Sequence, residues 1–128
     1  MGDVNCDGLT DVAVGGTIYV GNDGGWTKAV DVDGSKIAHL ADMNGDGNLD
    51  LVTNDPSVGL ALYIGAGDGT GWVRDESSGL PDTDYTPSGF AFNTPYGMDI
   101  ADLDGNGNLD VFRVAGFGSS YWAEAWTR

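Results

Sequence analysis

Three stretches of this chain follow one template without a gap, and they limit its fold more than any other feature. They are Asp3-Val-Asn-Cys-Asp-Gly-Leu-Thr-Asp11, Asp42-Met-Asn-Gly-Asp-Gly-Asn-Leu-Asp50 and Asp102-Leu-Asp-Gly-Asn-Gly-Asn-Leu-Asp110. Each has the form D-x-[DN]-x-[DN]-G-x-x-D. An apolar, strand-like run follows each one: Val12-Ala13-Val14, Leu51-Val52-Thr53 and Val111-Phe112-Arg113. A similar run precedes the second (Ile37 to Ala41) and the third (Met98 to Ala101). A short unit that recurs in this way cannot bury its own apolar face and must stack on its neighbours.

The chemistry of the template is that of an oxygen cage for a hard cation. Calcium takes six to eight oxygens at roughly 2.3–2.6 Å. The first, third and fifth places supply short oxygen-bearing side chains: Asp3, Asn5 and Asp7; Asp42, Asn44 and Asp46; Asp102, Asp104 and Asn106. Glycine in sixth place lets the backbone bend sharply around an ion. The seventh place (Leu9, Asn48, Asn108) offers only its backbone carbonyl, so its side chain is free to vary. Asp11, Asp50 and Asp110, in ninth place, are expected to close the cage. An EF-hand begins alike but needs a bidentate Glu at position twelve. Those positions here are Val14, Thr53 and Arg113, and the flanks are strand-like, so a strand–loop–strand site remains.

One such run is also what an ordinary Asx-Gly turn looks like; three aligned copies favour metal. Charge points the same way. Three Asp in each of three loops make nine of the 20 acidic residues, with no basic residue among them. Carboxylates crowded around one point repel strongly unless a cation sits between them. Three Ca²⁺ would add six positive charges and bring the net −15 to −9.

The same charge excludes partners. With 20 acidic and 5 basic residues the chain repels phosphate, so nucleic acid is set aside. A hydrophobic content of 41% is enough for a core, and 128 residues are enough for one domain. No apolar run approaches the ~18 residues of a membrane span. Met1 is followed at once by Gly2-Asp3, so no signal peptide is expected. Cys6 is the sole cysteine, which rules out an intrachain disulfide.

The loop followed by an apolar strand resembles the calcium-binding repeat of the FG-GAP/VCBS family of integrin-α-like β-propellers. Gly24-Gly25-Trp26 and Gly69-Thr70-Gly71-Trp72 resemble a G-x-G-W turn-to-strand step of such repeats. The resemblance implies four-stranded antiparallel blades with Ca²⁺ bound between the first two strands of each. It also implies an extracellular or cell-surface location and a role in adhesion, recognition or sugar binding. Cys6 departs from the family's usual glycine in fourth place, a position that supplies no side-chain ligand.

The expected fold is therefore all-β, with two to three blades over residues 1–128 in units 1–41, 42–101 and 102–128. Turn signals place ten strands: Asp11–Val14, Thr17–Val20, Trp26–Val30, Lys36–Leu40, Asp50–Thr53, Leu60–Ile64, Trp72–Arg74, Tyr96–Ala101, Asp110–Val114 and Tyr121–Trp126. Asp75 to Pro95 holds three of the four prolines and is expected to be a long surface loop. No helical period occurs. Closed propellers have four to eight blades. The ring is thus incomplete, either a piece of a longer propeller or completed by other copies of the chain, and assembly through strand edges is preferred.

Aromatic residues are the remaining signal. Trp26 and Trp126 lie 23 and 24 residues after their loop starts, which suggests one repeated structural role. Trp72, Tyr85, Phe90 and Tyr96 are the candidates for contact with a glycan or a cell-surface protein, since flat aromatic faces suit sugar rings. His39, the sole histidine, lies in an apolar strand and is taken as structural, which leaves no Ser/His/Asp triad. The acids outside the loops show no glycosidase spacing, and no glycine loop carries the lysine of a phosphate site. The expectation is a non-catalytic, extracellular calcium-binding propeller module for adhesion, surface assembly or filament formation. A lectin-like module and an accessory domain of a secreted enzyme are the alternatives.

Overall fold

The computed structural model describes residues 1–55, 59–80, 94–117 and 119–128. Ten strands run in chain order: β1 (Val12–Val14), β2 (Thr17–Asn22), β3 (Gly25–Asp31), β4 (Ile37–Ala41), β5 (Asp50–Asp55), β6 (Gly59–Gly65), β7 (Trp72–Arg74), β8 (Thr94–Ala101), β9 (Asp110–Phe117) and β10 (Ser120–Trp126). All ten expected strands occur, with no end shifted by more than three residues and β7 unshifted at both.

The strands form three antiparallel sheets, ordered β1-β2-β3, β4-β5-β6-β7 and β8-β9-β10. The fold is all-β, in open sheets that match incomplete propeller blades. Among the described residues no helix is long and apolar enough to cross a membrane. Units drawn at the loop starts straddle these sheets. β4 ends the first sequence unit yet pairs with β5, and β8 ends the second yet pairs with β9. Each of the last two acidic loops therefore joins the first two strands of a sheet. The first loop leads into β1, and a bridge between Gly2 and Asp11 stands where a preceding strand would pair.

Side-chain alternation divides the core in two. In β5, Leu51 faces the first sheet and Val52 faces the third. In β6, Leu60 and Leu62 point to the third sheet while Tyr63 points to the first. The middle sheet is thus covered on both faces, which explains its nearly unbroken apolar runs. Val4 and Ile18 complete the first interface; Met43, Met98 and Val111 complete the second. Burying a leucine such as Leu60 or Leu62 contributes roughly 1.5–3 kcal/mol. β4 packs beside both β1 and β8, so the sheets stack in chain order.

The expected surface loop after β7 is only partly one. Leu80 is buried in the second core cluster, because an apolar side chain there fills the space between the second and third sheets. Residues 81–93, with Tyr85 and Phe90, lie outside the described residues.

Candidate metal centre

The three acidic loops are built by one set of hydrogen bonds. The first-place carboxylate accepts backbone N–H groups from the fifth and sixth places. Asp3 takes those of Asp7 and Gly8 at 3.1 and 2.8 Å. Asp42 takes those of Asp46 and Gly47 at 3.1 and 2.9 Å, and Asp102 those of Asn106 and Gly107 at 3.1 and 2.9 Å. The third-place oxygen of Asn5, Asn44 or Asp104 accepts the same fifth-place N–H at 3.2, 2.9 and 3.0 Å. The fifth-place Asp7, Asp46 or Asn106 accepts the N–H of Leu9, Asn48 or Asn108 at 2.8, 2.8 and 2.7 Å. Side chains one, three and five are thereby gathered around a few shared amides.

Fourth place requires left-handed backbone. Gly45 and Gly105 both have φ of +77°, and Cys6 has +58°. The β-carbon of Cys6 is strained there by roughly 1–2 kcal/mol.

The ninth-place aspartates have a role that the spacing did not suggest. Asp11, Asp50 and Asp110 are fully buried. One oxygen of each accepts the second-place N–H: Val4 at 2.7 Å, Met43 at 2.9 Å, Leu103 at 2.7 Å. The other oxygen accepts an N–H from beyond the next strand turn: Gly21 at 2.7 Å, Gly65 at 3.0 Å, Arg128 at 2.9 Å. Each carboxylate therefore clasps its loop to the second strand after it: to β2, to β6 and to the residues just past β10. The sequence did carry one signal, a lone glycine at the end of an apolar strand at Gly21 and Gly65. A β-carbon on Gly21 would lie 2.7 Å from the carbonyl oxygen of Thr10, and one on Gly65 would meet that of Leu49.

Electrostatics differ between the loops. Burial raises the pKa of Asp50, and the nearby Asp46 and Asp42 carboxylates add to the rise. The N–H of Arg128 holds Asp110 below the ordinary carboxylate range. The N–H of Asn48, with the Asn44 amide, does the same for Asp46. In the third loop one oxygen each from Asp102, Asp104 and Asp110 lie within 4.8 Å of one another. Three carboxylate oxygens this close form an all-oxygen donor set that suits a hard cation such as Ca²⁺.

Protein-family comparison matches residues 42–113 to the FG-GAP-like repeat, more than half of the chain. The chain belongs to the FG-GAP-like repeat family. No match was found among curated proteins or among solved structures. The matched span begins just after β4 and holds the second and third loops with β5 to β8 and the start of β9.

Of the aromatic candidates, Trp72 and Tyr96 are among the described residues, and they lie on different sheets. Trp72 is half-buried against the first core cluster, opposite Gly65. Trp26 lies opposite Gly21 in the same way and donates its indole N–H to the carbonyl of Thr10 at 2.8 Å. The repeat partner of Trp26 is therefore Trp72. Trp126 instead occupies the place of Tyr19 and Tyr63, each paired with the residue after a ninth-place aspartate. Tyr96 is exposed on the far face of the third sheet, edge-on to Tyr121 at 5.3 Å. His39 sits half-buried in β4 opposite Val52.

The sequence reading also missed Arg113. It is buried, held by Glu124 at 2.9 Å and lies 5.1 Å from the centre of the Trp126 ring. Glu124, one of the acids left over after the loops were assigned, is thus the partner of a buried arginine. A cleft of about 800 Å³ opens beside these groups, lined by Met43, Asn44, Leu80, Asn108, Trp126 and Arg128 among others.

Proposed function

We propose that this FG-GAP-like chain is a non-catalytic, extracellular calcium-binding propeller module that acts in adhesion or surface assembly. The observation that carries the reading is the convergence of Asp102, Asp104 and Asp110 oxygens, in a loop whose construction recurs twice more. The first, third, fifth and ninth side chains of each loop, with the seventh-place carbonyl, would hold the ion. Bound Ca²⁺ would neutralise the carboxylates and hold each loop against the second strand after it. The family supports an extracellular location, and an affinity of ~10⁻⁴–10⁻³ M, usual for extracellular calcium modules, is expected there.

Binding to the folded chain alone stabilises it, by roughly 2 kcal/mol per site at twenty times the dissociation constant. Thermal unfolding in millimolar calcium and then in EDTA tests this. The melting temperature is expected to fall on chelation, and Asp46→Ala is expected to reduce the difference. Identical curves in calcium and EDTA would remove the calcium reading.

The cleft favours a second reading, a sugar-binding module, since its size and its mix of an indole with amides suit a small polar ligand. Glycan-array binding that Ser78→Trp abolishes by filling the cleft would support it. An array without signal would retire it.

A further inference from the structure

In the first two acidic loops the second-place residue joins its own loop to the sheet that follows. Its N–H is taken by the ninth-place carboxylate of the same loop, and its carbonyl bonds to the next sheet. The carbonyl of Val4 accepts the N–H of Gly69 at 3.1 Å. Gly69 lies in the turn between β6 and β7, which begins at Gly65, the residue that the Asp50 carboxylate holds. The carbonyl of Met43 accepts from the Arg128 guanidinium at 3.1 Å, and the N–H of Arg128 is held by Asp110. Gly65 and Arg128 occupy the same place in their sheets, two residues beyond Tyr63 and Trp126. One pattern therefore links the first loop to the second and the second to the third.

The same connectors touch the candidate ligand positions. A β-carbon on Gly69 would lie 3.2 Å from that of Asn5, and one on Gly67 would run into the Asn48 side chain. The turn thus sits against the third place of the first loop and the seventh place of the second. Arg128 stands likewise between the second and third loops. Its carbonyl accepts from Asn106 and Asn108 of the third while its guanidinium holds the second. Val4 and Met43 are buried, so a carbonyl released there when one loop opens is costly. Each link is complete only while both of the loops it joins keep their closed shape. We propose that the three loops fill as a coupled set, an ion that closes one loop favouring the closed form of its neighbour. The coupling passes through Gly69 between the first and second loops and through Arg128 between the second and third. The proposal deepens the calcium reading and rests on it. Coupling of this kind is reciprocal, so each ion raises the affinity of the next site by the factor it receives. A factor of about two to ten is expected, which is what a single hydrogen bond contributes.

Calcium titration of the full chain tests it, read by NMR at the amides of Gly8, Gly47 and Gly107, one in each loop. Asp46→Ala disables the second loop. Binding read at Gly8 and at Gly107 should then weaken about two- to tenfold. Charge alone would act the other way. The filled second loop carries −1 (three Asp and one Ca²⁺), whereas the emptied variant carries −2 and would draw calcium to its neighbours. Unchanged or tighter binding at either glycine overturns the proposal and leaves the calcium reading standing. No calcium response at any of the three glycines defeats the calcium reading and the proposal with it. Arg128→Met removes the guanidinium but keeps the backbone groups that serve the third loop. In that background Asp46→Ala should still weaken binding at Gly8 but no longer at Gly107. An undiminished effect at Gly107 overturns the route through Arg128. Should Asp46→Ala fail to fold, shown by collapsed amide dispersion, Arg128→Met alone decides. Binding at Gly47 and Gly107 should weaken, although loss of a positive charge by itself would tighten it, and no weakening overturns the proposal.

Discussion

The middle sheet and its two neighbours are made by the same rules, but only the middle one is finished. β5 and β6 bury side chains on both faces, and Leu51, Val52, Leu60 and Leu62 are fully inaccessible to solvent. The flanking sheets bury one face each and leave Val14, Phe112 and Tyr121 in contact with water. A blade is thus stable to the extent that it has neighbours, so stability is shared between adjacent units more than held within any one.

The sharpest way to break this comparison is to remove the same kind of contact in both places. Leu62→Ala should cost roughly 2–5 kcal/mol, since it opens a cavity between two packed sheets. Phe112→Ala, at the neighbouring position of the unfinished third sheet, should cost under about 1 kcal/mol in dilute protein, where assembly does not contribute. Urea unfolding of both variants decides it. Equal losses would mean that the flanking face is covered in the single chain.

A smaller effect separates the first loop from the middle one. Cys6 holds the left-handed position that Gly45 holds in the second loop. Cys6→Gly should stabilise the chain by about 1 kcal/mol, and Gly45→Cys should destabilise it by a similar amount. Melting temperatures that move the same way in both variants would show that backbone strain does not distinguish the loops.

The smallest effect lies in the turns that end the two sheets. Asp68 accepts the N–H groups of Thr70 and Gly71, and these bonds hold its pKa below the ordinary value, the Gly71 bond most. In the first sheet the corresponding cap is uncharged Asn22, which accepts the N–H of Gly24 at 3.0 Å. A lowered folded-state pKa gives stability that is present above the unfolded value of about 3.9 and is lost as pH falls through the folded one. The melting difference between the parent and Asp68→Ala should therefore be constant from pH 5 to 7 and shrink toward zero below about pH 3. Asn22→Ala should lower the melting point equally across that range. A parallel acid dependence in both would refute the assignment.

Much of this was legible in the sequence, for identifiable reasons. The strands were, because glycine and asparagine turns punctuate them and β-branched runs fill them. The loops were, because short oxygen-bearing side chains at alternate positions fold back onto the loop's own amides. Membership of sheets was not: β4 and β8 follow one unit in sequence but join the next in space, and only register shows this. The clasp was missed because the ninth aspartate looked like one more ligand, and its partners are amides without a side-chain signature. Arg113 was hidden in an apolar run, its counter-charge eleven residues away on the adjacent strand. Leu80 looked like loop because its proline-rich surroundings outweighed one leucine.

The third clasp has a consequence of its own. Where the first two loops use the amide of a glycine, Gly21 or Gly65, the third uses that of Arg128, whose carbonyl also accepts from the side chains of Asn106 at 2.8 Å and Asn108 at 3.2 Å. Arg128→Pro would take away the amide that Asp110 accepts and leave the clasps of the other two loops whole. One backbone amide thus tunes a single loop of the three without any change to its acidic side chains.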